Sequence, residues 1–431
     1  MRAATEMIHR AEGANPDADP LTLPIYETTT FVFENAEQVK AYNEGRSQRF
    51  LYSRYSNPTI VAVEQTIAGL ERAESAMLLS SGMAATATAL LALLKSGDEV
   101  ICSSAIYGGT LHLLADLFPH YGIKTRFASL DELAAPASLI TPSTRVLWFE
   151  SPINPTLRCV DVAAIAAACR AREIISIIDN TFASPVNQQP IGLGVDVVMH
   201  SVTKYLNGHS DVTAGALAGP RTLIQQIDKT RKMLGTVIDP QAAYAIGRGV
   251  KTLAVRMERH NSNGLAIARW LERDSRVTKV YYPGLESHPD HALAARQMRG
   301  FGGMVCVDLG GGQERAERFF DRLKVFKRAA SLGGVESLCS LPVLTSQLGH
   351  TDAQLAEAGV ARSMARLSVG LEDAERLVEV RAGTARPSRR ASPPPLLPRD
   401  SRTSRGSDRS APPPSPSRGV PPRSRVRRTS A

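Results

Sequence analysis

Lys204 stands in a setting that suits covalent chemistry, His200-Ser-Val-Thr-Lys204-Tyr, directly after an apolar run. A lysine at a strand end, flanked by hydroxyls, suits an aldehyde cofactor held as a Schiff base. Desolvation there lowers the amine's pKa and makes it nucleophilic. A surface lysine following a strand is the alternative. Asp179 closes the most apolar run, Ile174–Ile178, and Asn180-Thr181 follow it. A carboxylate at that place can hold a pyridinium nitrogen protonated, which an electron-sink cofactor needs. A helix cap or Asx-turn would use the same Asp-Asn pair. Ser80-Ser81-Gly82-Met83 precedes an Ala- and Leu-rich helical stretch. Glycine lets backbone N–H groups approach an anion, and a helix N-terminus favours phosphate, with Ser201 and Thr203 able to add hydroxyls. An ordinary N-cap would look the same. Arg366, in Arg366-Leu-Ser-Val-Gly370, is the natural two-pronged clamp for a carboxylate, or one half of a structural ion pair.

Other chemistries lack their signatures. The nine histidines form no metal constellation: His288 and His291 stand three apart with Pro289 between them, and read as loop residues. No GxGxxG follows the early strands, which disfavours a dinucleotide site, and no GxSxG elbow points to a serine hydrolase.

The elements that must position these residues alternate along the chain. Met83–Lys95 and Val160–Arg172 read as helices. Glu99–Cys102, Lys124–Ala128, Arg145–Phe149, Ile174–Ile178 and Asp196–His200 read as short strands. Short apolar runs separated by helices imply an α/β fold, a mainly parallel sheet wrapped by helices. Ligands then gather beyond the carboxyl ends of the strands, at Ser103–Thr110, Glu150–Asn154, Asp179–Thr181 and Ser201–Lys204. Past residue 250, Lys279–Tyr282 and Met304–Leu309 read as strands and Glu314–Leu323 as a helix, giving a smaller C-terminal α+β domain. The expected organisation is an arm over 1–57, a large domain over 58–250, a small domain over 251–383 and a tail over 384–431.

Composition narrows the setting. The chain has 431 residues, 43% hydrophobic and 22% charged, enough for real cores. Its longest apolar stretch, Met83–Leu94, is one core helix rather than a membrane span, and Met1–Gly13 has no apolar run of the secretory kind. The net charge of +9 belongs to the tail, where residues 384–431 hold twelve Arg and two Asp; the remainder sums to −1 and shows no nucleic-acid footprint. With eleven Pro and ten Ser besides, that tail reads as disordered, and a polybasic interaction arm is the alternative. Five cysteines (Cys102, Cys159, Cys169, Cys306, Cys339) without CxxC spacing imply reduced thiols and a cytoplasmic location.

Taken together, these motifs carry a resemblance. Pro24-Ile-Tyr-Glu-Thr-Thr-Thr-Phe31, Tyr52-Ser-Arg-Tyr-Ser-Asn-Pro-Thr59, Ser80-Ser-Gly-Met83, Tyr107-Gly-Gly-Thr110, Glu150-Ser-Pro-Ile-Asn-Pro155, Asp179-Asn-Thr-Phe182, Ser201–Asp211, Tyr282–Pro289, Ser331–Leu338 and Arg366–Glu372 follow one another in order. From Pro24 to Val380 the chain resembles the Cys/Met-metabolism (transsulfuration) pyridoxal-phosphate enzymes, the family that includes cystathionine γ-lyase and γ-synthase. The resemblance implies the aspartate-aminotransferase-like architecture (fold type I) and pyridoxal 5'-phosphate as cofactor. It implies Lys204 as the Schiff-base lysine and proton shuttle, Asp179 as partner of the ring nitrogen, and Tyr107 as a catalytic residue that stacks on the ring and assists proton transfer. Gly82, Met83, Ser201 and Thr203 would hold the phosphate, Thr181 would join the cofactor's surroundings, and Asn154 would lie near its phenolic oxygen. Tyr52 and Arg54 would reach the phosphate of a neighbouring subunit, so the unit is at least a dimer and typically a homotetramer. Arg366, with Ser331 and Leu332 backbone groups, would fix the α-carboxylate of an amino-acid substrate, and Glu336 would meet a distal amino group.

The expected reaction is γ-elimination of L-cystathionine to cysteine, 2-oxobutanoate and ammonia. γ-Replacement on an O-acylhomoserine is the alternative, ahead of methionine γ-lyase, homoserine sulfhydrylase or aminotransferase chemistry. Gly109 stands where methionine γ-lyases usually carry cysteine. A non-enzymatic scaffold using the basic tail is the competing class. Two segments depart from the family pattern. Pro342 leads to Val-Leu-Thr-Ser-Gln-Leu-Gly-His350 where Met-Thr-His is usual, and the closing helix begun at Asp373–Val380 is broken by Arg381-Ala-Gly-Thr, as a truncation would leave it.

Overall fold

The computed structural model describes Thr5, Met7, Ile8 and residues 20–378. The expectations for the tail over 384–431 and for the break after Val380 therefore lie outside the described residues.

Seven short strands form the first sheet: β1 (Ser75–Leu79), β2 (Glu99–Ser103), β3 (Lys124–Ala128), β4 (Thr144–Glu150), β5 (Ile175–Asp179), β6 (Val197–Ser201) and β7 (Gly215–Gly219). Their order is β1-β7-β6-β5-β4-β2-β3, parallel from β6 to β3, with β7 antiparallel to both of its neighbours. Both faces are covered, which is why these runs read as continuously apolar. Successive residues serve opposite faces. Val146, Trp148, Ile177 and Met199 join one buried cluster with the helix Gly82–Leu93. Leu147, Phe149, Ile178 and Val198 join another with the helix Val162–Arg170.

The second sheet comprises β8 (Lys279–Tyr281), β9 (Met304–Asp308), β10 (Lys327–Arg328), β11 (Leu338–Ser340) and β12 (Met364–Ser368). Its order is β10-β11-β12-β9-β8, antiparallel except for β10 with β11. It packs into its own cluster with residues of the helix Leu253–Glu272, and both sheets belong to one compact unit.

Several elements differ from the sequence expectation. β1 and β7 were not anticipated. Gly-Ala-Leu-Ala-Gly carries almost no β-propensity, and β7 is a strand because its neighbours pair with it on both sides. The helices Arg221–Leu234, Pro240–Val250 and Leu253–Glu272 were likewise not delimited. Within the arm, an eight-residue helix, Ala36–Asn43, buries none of its residues, so it leaves no periodic apolar signal. The helix Pro58–Glu71 and the strands β10 and β11 were also not delimited, and the elements that were expected lie within two residues of their expected bounds.

The helix Leu253–Glu272 also reaches into the first sheet's loops. Buried Arg256 donates to the carbonyls of Tyr205 (2.7 Å), Leu206 (3.3 Å) and Gly249 (2.8 Å), so its guanidinium holds the segment after Lys204. Gly208 lies against that guanidinium at φ +74, where a Cβ would collide with it and the left-handed conformation already favours glycine.

His260, one turn further along, is fully buried and shares a 2.8 Å hydrogen bond with the Val369 carbonyl. Burial holds its pKa down, from 6.5 to about 4, so the folded protein keeps it neutral. The unfolded chain binds this proton more readily, so the stability contribution is full above pH 6.5 and is lost as pH falls toward 4. The loss is expected to reach about 3 kcal/mol for this group. Urea unfolding measured at steps across that range checks it, with His260→Gln showing a flatter profile than wild type.

Candidate active site

Parallel pairing brings the carboxyl ends of β4, β5 and β6 side by side. Glu150 pairs with Asp179, and Asp179 with Met199. All three line a cavity of about 600 Å³, together with Gly82, Met83, Tyr107, Asn154, Thr181, Ser201, Thr203, Lys204, Ser331, Leu332 and Arg366.

Lys204 follows the end of β6 by three residues and is half-buried, so it is not the surface lysine of the alternative reading. Its Nζ donates to Ser331 Oγ at 3.0 Å. Burial, and then the nearby Arg366 cation, pull its pKa below the ordinary lysine value.

Asp179 accepts a bond from the Thr181 N–H at 3.0 Å, so it makes the turn contact and faces the cavity at once. Burial pushes its carboxyl up, against the bonds from Thr181 and the charge of His200. Behind it, buried His200 and Glu71 make a 2.5 Å contact, and Asn180 donates to the same Glu71 oxygen at 3.2 Å.

Ser81 caps the helix Gly82–Leu93 by accepting from the Ala84 N–H at 2.9 Å. The first-turn N–H groups of such a helix lack intrahelical acceptors and suit an anion. A Cβ on Gly82 would lie 3.0 Å from Ser201 Cβ and 3.1 Å from its Oγ, so Ser201 is pressed against this helix start. Thr181 Oγ1 accepts from the Ser201 N–H at 2.8 Å. Thr203 lines the cavity, but its hydroxyl accepts from the Ala214 N–H (2.9 Å) and donates to the Ala214 carbonyl (3.2 Å). Its hydroxyl hydrogen is thus occupied by the chain, unlike the expected phosphate donor.

Arg366, on β12, reaches the cavity from the second sheet. Its partners are neutral oxygens: Asn154 Oδ1 at 2.8 Å and the Ser331 carbonyl at 3.3 Å. That disposes of a structural ion pair as its first role and leaves a buried cation facing the cavity.

Three expected site residues lie elsewhere in this chain. Glu336 does not line the cavity, and its carboxylate stands 3.5 Å from the Ser210 hydroxyl. Tyr52 is exposed, and Arg54 donates to the Lys232 carbonyl at 2.7 Å with its guanidinium over the Tyr55 ring; neither borders the chain's own cavity. Conversely, Glu150, Met199, Thr213, Thr345 and Ser346 line it without having been singled out. The signal for Glu150 was available, an acid closing an apolar strand next to that of Asp179. The divergent 342–350 segment contributes Thr345 and Ser346, and a Cβ on Gly108 would meet the Ser346 carbonyl at 2.8 Å.

His288 is a loop residue, its Nδ1 accepting from the Asp290 N–H, whereas His291, also expected in a loop, opens the helix His291–Gln297 and shares a bond with the Pro283 carbonyl. Among the described residues, no group of three or more His, Cys, Asp or Glu is placed to hold a metal ion, and no helix is long and apolar enough to cross a membrane.

The donor set fits an aldehyde-bearing, phosphorylated pyridine. A desolvated amine, a buried carboxylate at the neighbouring strand end and a helix start with an adjacent serine share one cavity. A guanidinium remains for an acidic substrate group.

Comparison with known proteins agrees with this inventory. Residues 4–380 match the model of the Cys/Met metabolism PLP-dependent enzyme family. The chain is 39% identical over 377 residues to an L-methionine gamma-lyase of Pseudomonas putida, covering 87% of this chain and 95% of the relative. It is 42% identical over 374 residues to a cystathionine gamma-synthase of Mycobacterium tuberculosis, covering 86% and 93%. The solved structure of a cystathionine gamma-lyase from Lactobacillus plantarum complexed with L-serine superposes with a TM-score of 0.82 at 36% identity, covering 88% of this chain and 97% of that one.

Replacing Arg366 with methionine is expected to raise the pKa of Lys204, since the cation that opposes its protonation is gone. Labelling of Lys204 in the cofactor-free protein by an amine reagent, followed across pH by mass spectrometry, reads the shift.

Proposed function

The chain belongs to the Cys/Met metabolism PLP-dependent enzymes, and from that membership we propose that it cleaves the γ carbon–sulfur bond of L-cystathionine, releasing cysteine, 2-oxobutanoate and ammonia. The observation that carries this reading is the convergence of Lys204, Asp179 and Arg366 on one cavity. Pyridoxal phosphate supplies an electron sink for negative charge developing beside the amino group.

The chain's residues divide the remaining work. Lys204 would hold the cofactor through its aldehyde and would serve as the base for the substrate's Cα proton, a task its lowered pKa suits. The Asp179 carboxylate keeps the proton on the ring nitrogen. Gly82, Met83 and Ser201 would hold the phosphate at the helix start, with Thr181 and Thr203 bracing the strand ends, and Tyr107 would stack on the ring. Asn154 orients Arg366 and faces the phenolic oxygen. Arg366, with the backbone of Ser331 and Leu332, binds the substrate α-carboxylate.

Gly109 supports a cystathionine substrate over methionine. A Cβ there would lie 2.6 Å from the Tyr107 ring and 2.9 Å from Met83 Sδ, so the cysteine usual in methionine γ-lyases would displace the stacking residue. Glu336, half-buried outside the cavity, would meet a distal amino group only after turning from Ser210. γ-Replacement on an O-acylhomoserine is the second reading, favoured by the 42% identity to a cystathionine gamma-synthase.

Tyr52 and Arg54 complete the phosphate site of a partner subunit, within a homotetramer of two active dimers. Their placement away from the chain's own cavity supports this. All five cysteines are free and buried, which suits a reducing, cytoplasmic setting.

The test uses protein reconstituted with pyridoxal phosphate. Wild type is expected to show a visible absorption band that Lys204→Ala lacks, and to form 2-oxobutanoate and cysteine from cystathionine, with turnover falling about a thousand-fold or more in the variant. Cystathionine made from cysteine and an O-acylhomoserine, without elimination, would transfer the assignment to γ-replacement. Elimination from methionine alone would overturn the substrate.

A further inference from the structure

We propose that Glu150 is a positioning residue that ties the ring-covering loop to the substrate-carboxylate clamp; the proposal rests on the functional reading above and assigns the order within its site. Glu150 closes β4 and is 2% exposed. Its two oxygens face two different loops. Oε2 accepts the Tyr107 N–H at 3.0 Å, and Oε1 accepts the Asn154 N–H at 3.1 Å. Neither bond involves a side chain on the loop, so what the carboxylate fixes is the course of each backbone.

The Asn154 side chain carries the constraint onward. Its Oδ1 accepts from Arg366 Nη1 at 2.8 Å, Arg366 Nη2 donates to the Ser331 carbonyl at 3.3 Å, and Ser331 Oγ accepts from Lys204 Nζ at 3.0 Å. One unbroken run of contacts therefore leads from the backbone of Tyr107 through Glu150 to the arginine on β12 and the lysine after β6. It crosses between the two sheets at the Asn154–Arg366 bond.

The residue type matters. Both partners are donors, so both side-chain atoms must be acceptors, and only a carboxylate offers two. Glutamine keeps the shape but turns an NH2 toward one of the N–H groups, and two donors then face each other with nothing between them. Burial and the neighbouring Asp179 push the Glu150 carboxyl well up, and the two N–H bonds and the Arg366 charge offset this only in part. An acid whose duty was only to cap a turn would need one of these bonds. This one spans two loops whose relative placement sets how the substrate carboxylate lies against the covered ring.

The experiment compares the reconstituted enzyme with E150Q, E150D, N154A and the E150Q/N154A double variant. The substrate is whichever sulfur amino acid wild type turns over. Expected for E150Q are retention of the Lys204-dependent absorption band, an altered visible circular dichroism of the bound cofactor, and a KM raised about ten-fold or more. E150D, which keeps two acceptors on a shorter stem, recovers part of the KM and carries the test if E150Q does not fold. The double variant matches the KM of N154A alone to within about two-fold, because the effect on the clamp runs through Asn154.

A wild-type KM and unchanged dichroism in E150Q, even with a lowered melting temperature, would reduce Glu150 to a structural acid and overturn the proposal. So would KM effects of E150Q and N154A that multiply. A wild-type protein without any Lys204-dependent band would overturn the functional reading itself. A coloured, active wild type with an indifferent E150Q overturns only the role given to Glu150.

Discussion

In-register parallel pairing of β4, β5 and β6 is the constraint on which the site depends. A parallel ladder ends all its strands on one side, and here Glu150, Asp179 and Met199 stand in adjacent positions, with Ser201 two residues further on and Lys204 in the loop beyond. A slip of one residue would turn each of these side chains to the opposite face and exchange Trp148 with Phe149 between two packed clusters. The apolar residues below the strand ends thus specify the chemistry above them. Side chains with no polar atom fix the register, and the register decides which acids share the cavity.

That arrangement concentrates charge where water is scarce. Asp179, Glu150, Lys204 and Arg366 all line one cavity, and burial shifts every one of them toward its neutral form. The fold counters this with local bonds rather than close ion pairs: Thr181 on Asp179, backbone N–H groups on Glu150, Asn154 and Ser331 on Arg366. Under the sheet, the Glu71–His200 contact with Asn180 places a further buried polar group behind Asp179. Removing one partner from such a contact leaves the other buried polar atom without it, which costs more than replacing both.

Much of the first sheet was legible because strands buried on both faces are continuous apolar runs. Lys204 and Asp179 were legible because each follows or ends such a run, Gly82 because it opens a helical stretch, and Arg366 because a guanidinium is the natural clamp for a carboxylate. β7 was not, since Gly215–Gly219 owes its strand conformation to room rather than preference: a Cβ on Gly215 would strike the Ser81 carbonyl, and one on Gly219 would come within 2.6 Å of the Asp196 carbonyl. Glu150 was placed at a ligand-gathering strand end but given no role of its own, because its partners are backbone N–H groups, which every residue but proline carries. Thr345 and Ser346 reach the cavity from a loop without periodicity. The expected role of Glu336 transferred a side-chain direction from a resemblance, and direction is set by local contacts such as Ser210. The order of the motifs, more than any one of them, carried the family, and the match over residues 4–380 bears that out.

The grip of Arg256 on the Tyr205, Leu206 and Gly249 carbonyls has a consequence in the order of synthesis. The strands that lead to Lys204 are complete by residue 219, yet the guanidinium that fixes the loop after that lysine belongs to a helix later in the chain. Gly303, further on still, donates its N–H to the Tyr205 hydroxyl at 3.1 Å. A chain made only as far as residue 219 therefore contains every strand of the first sheet but lacks the contacts that fix the loop after Lys204, which come later with Arg256 and Gly303.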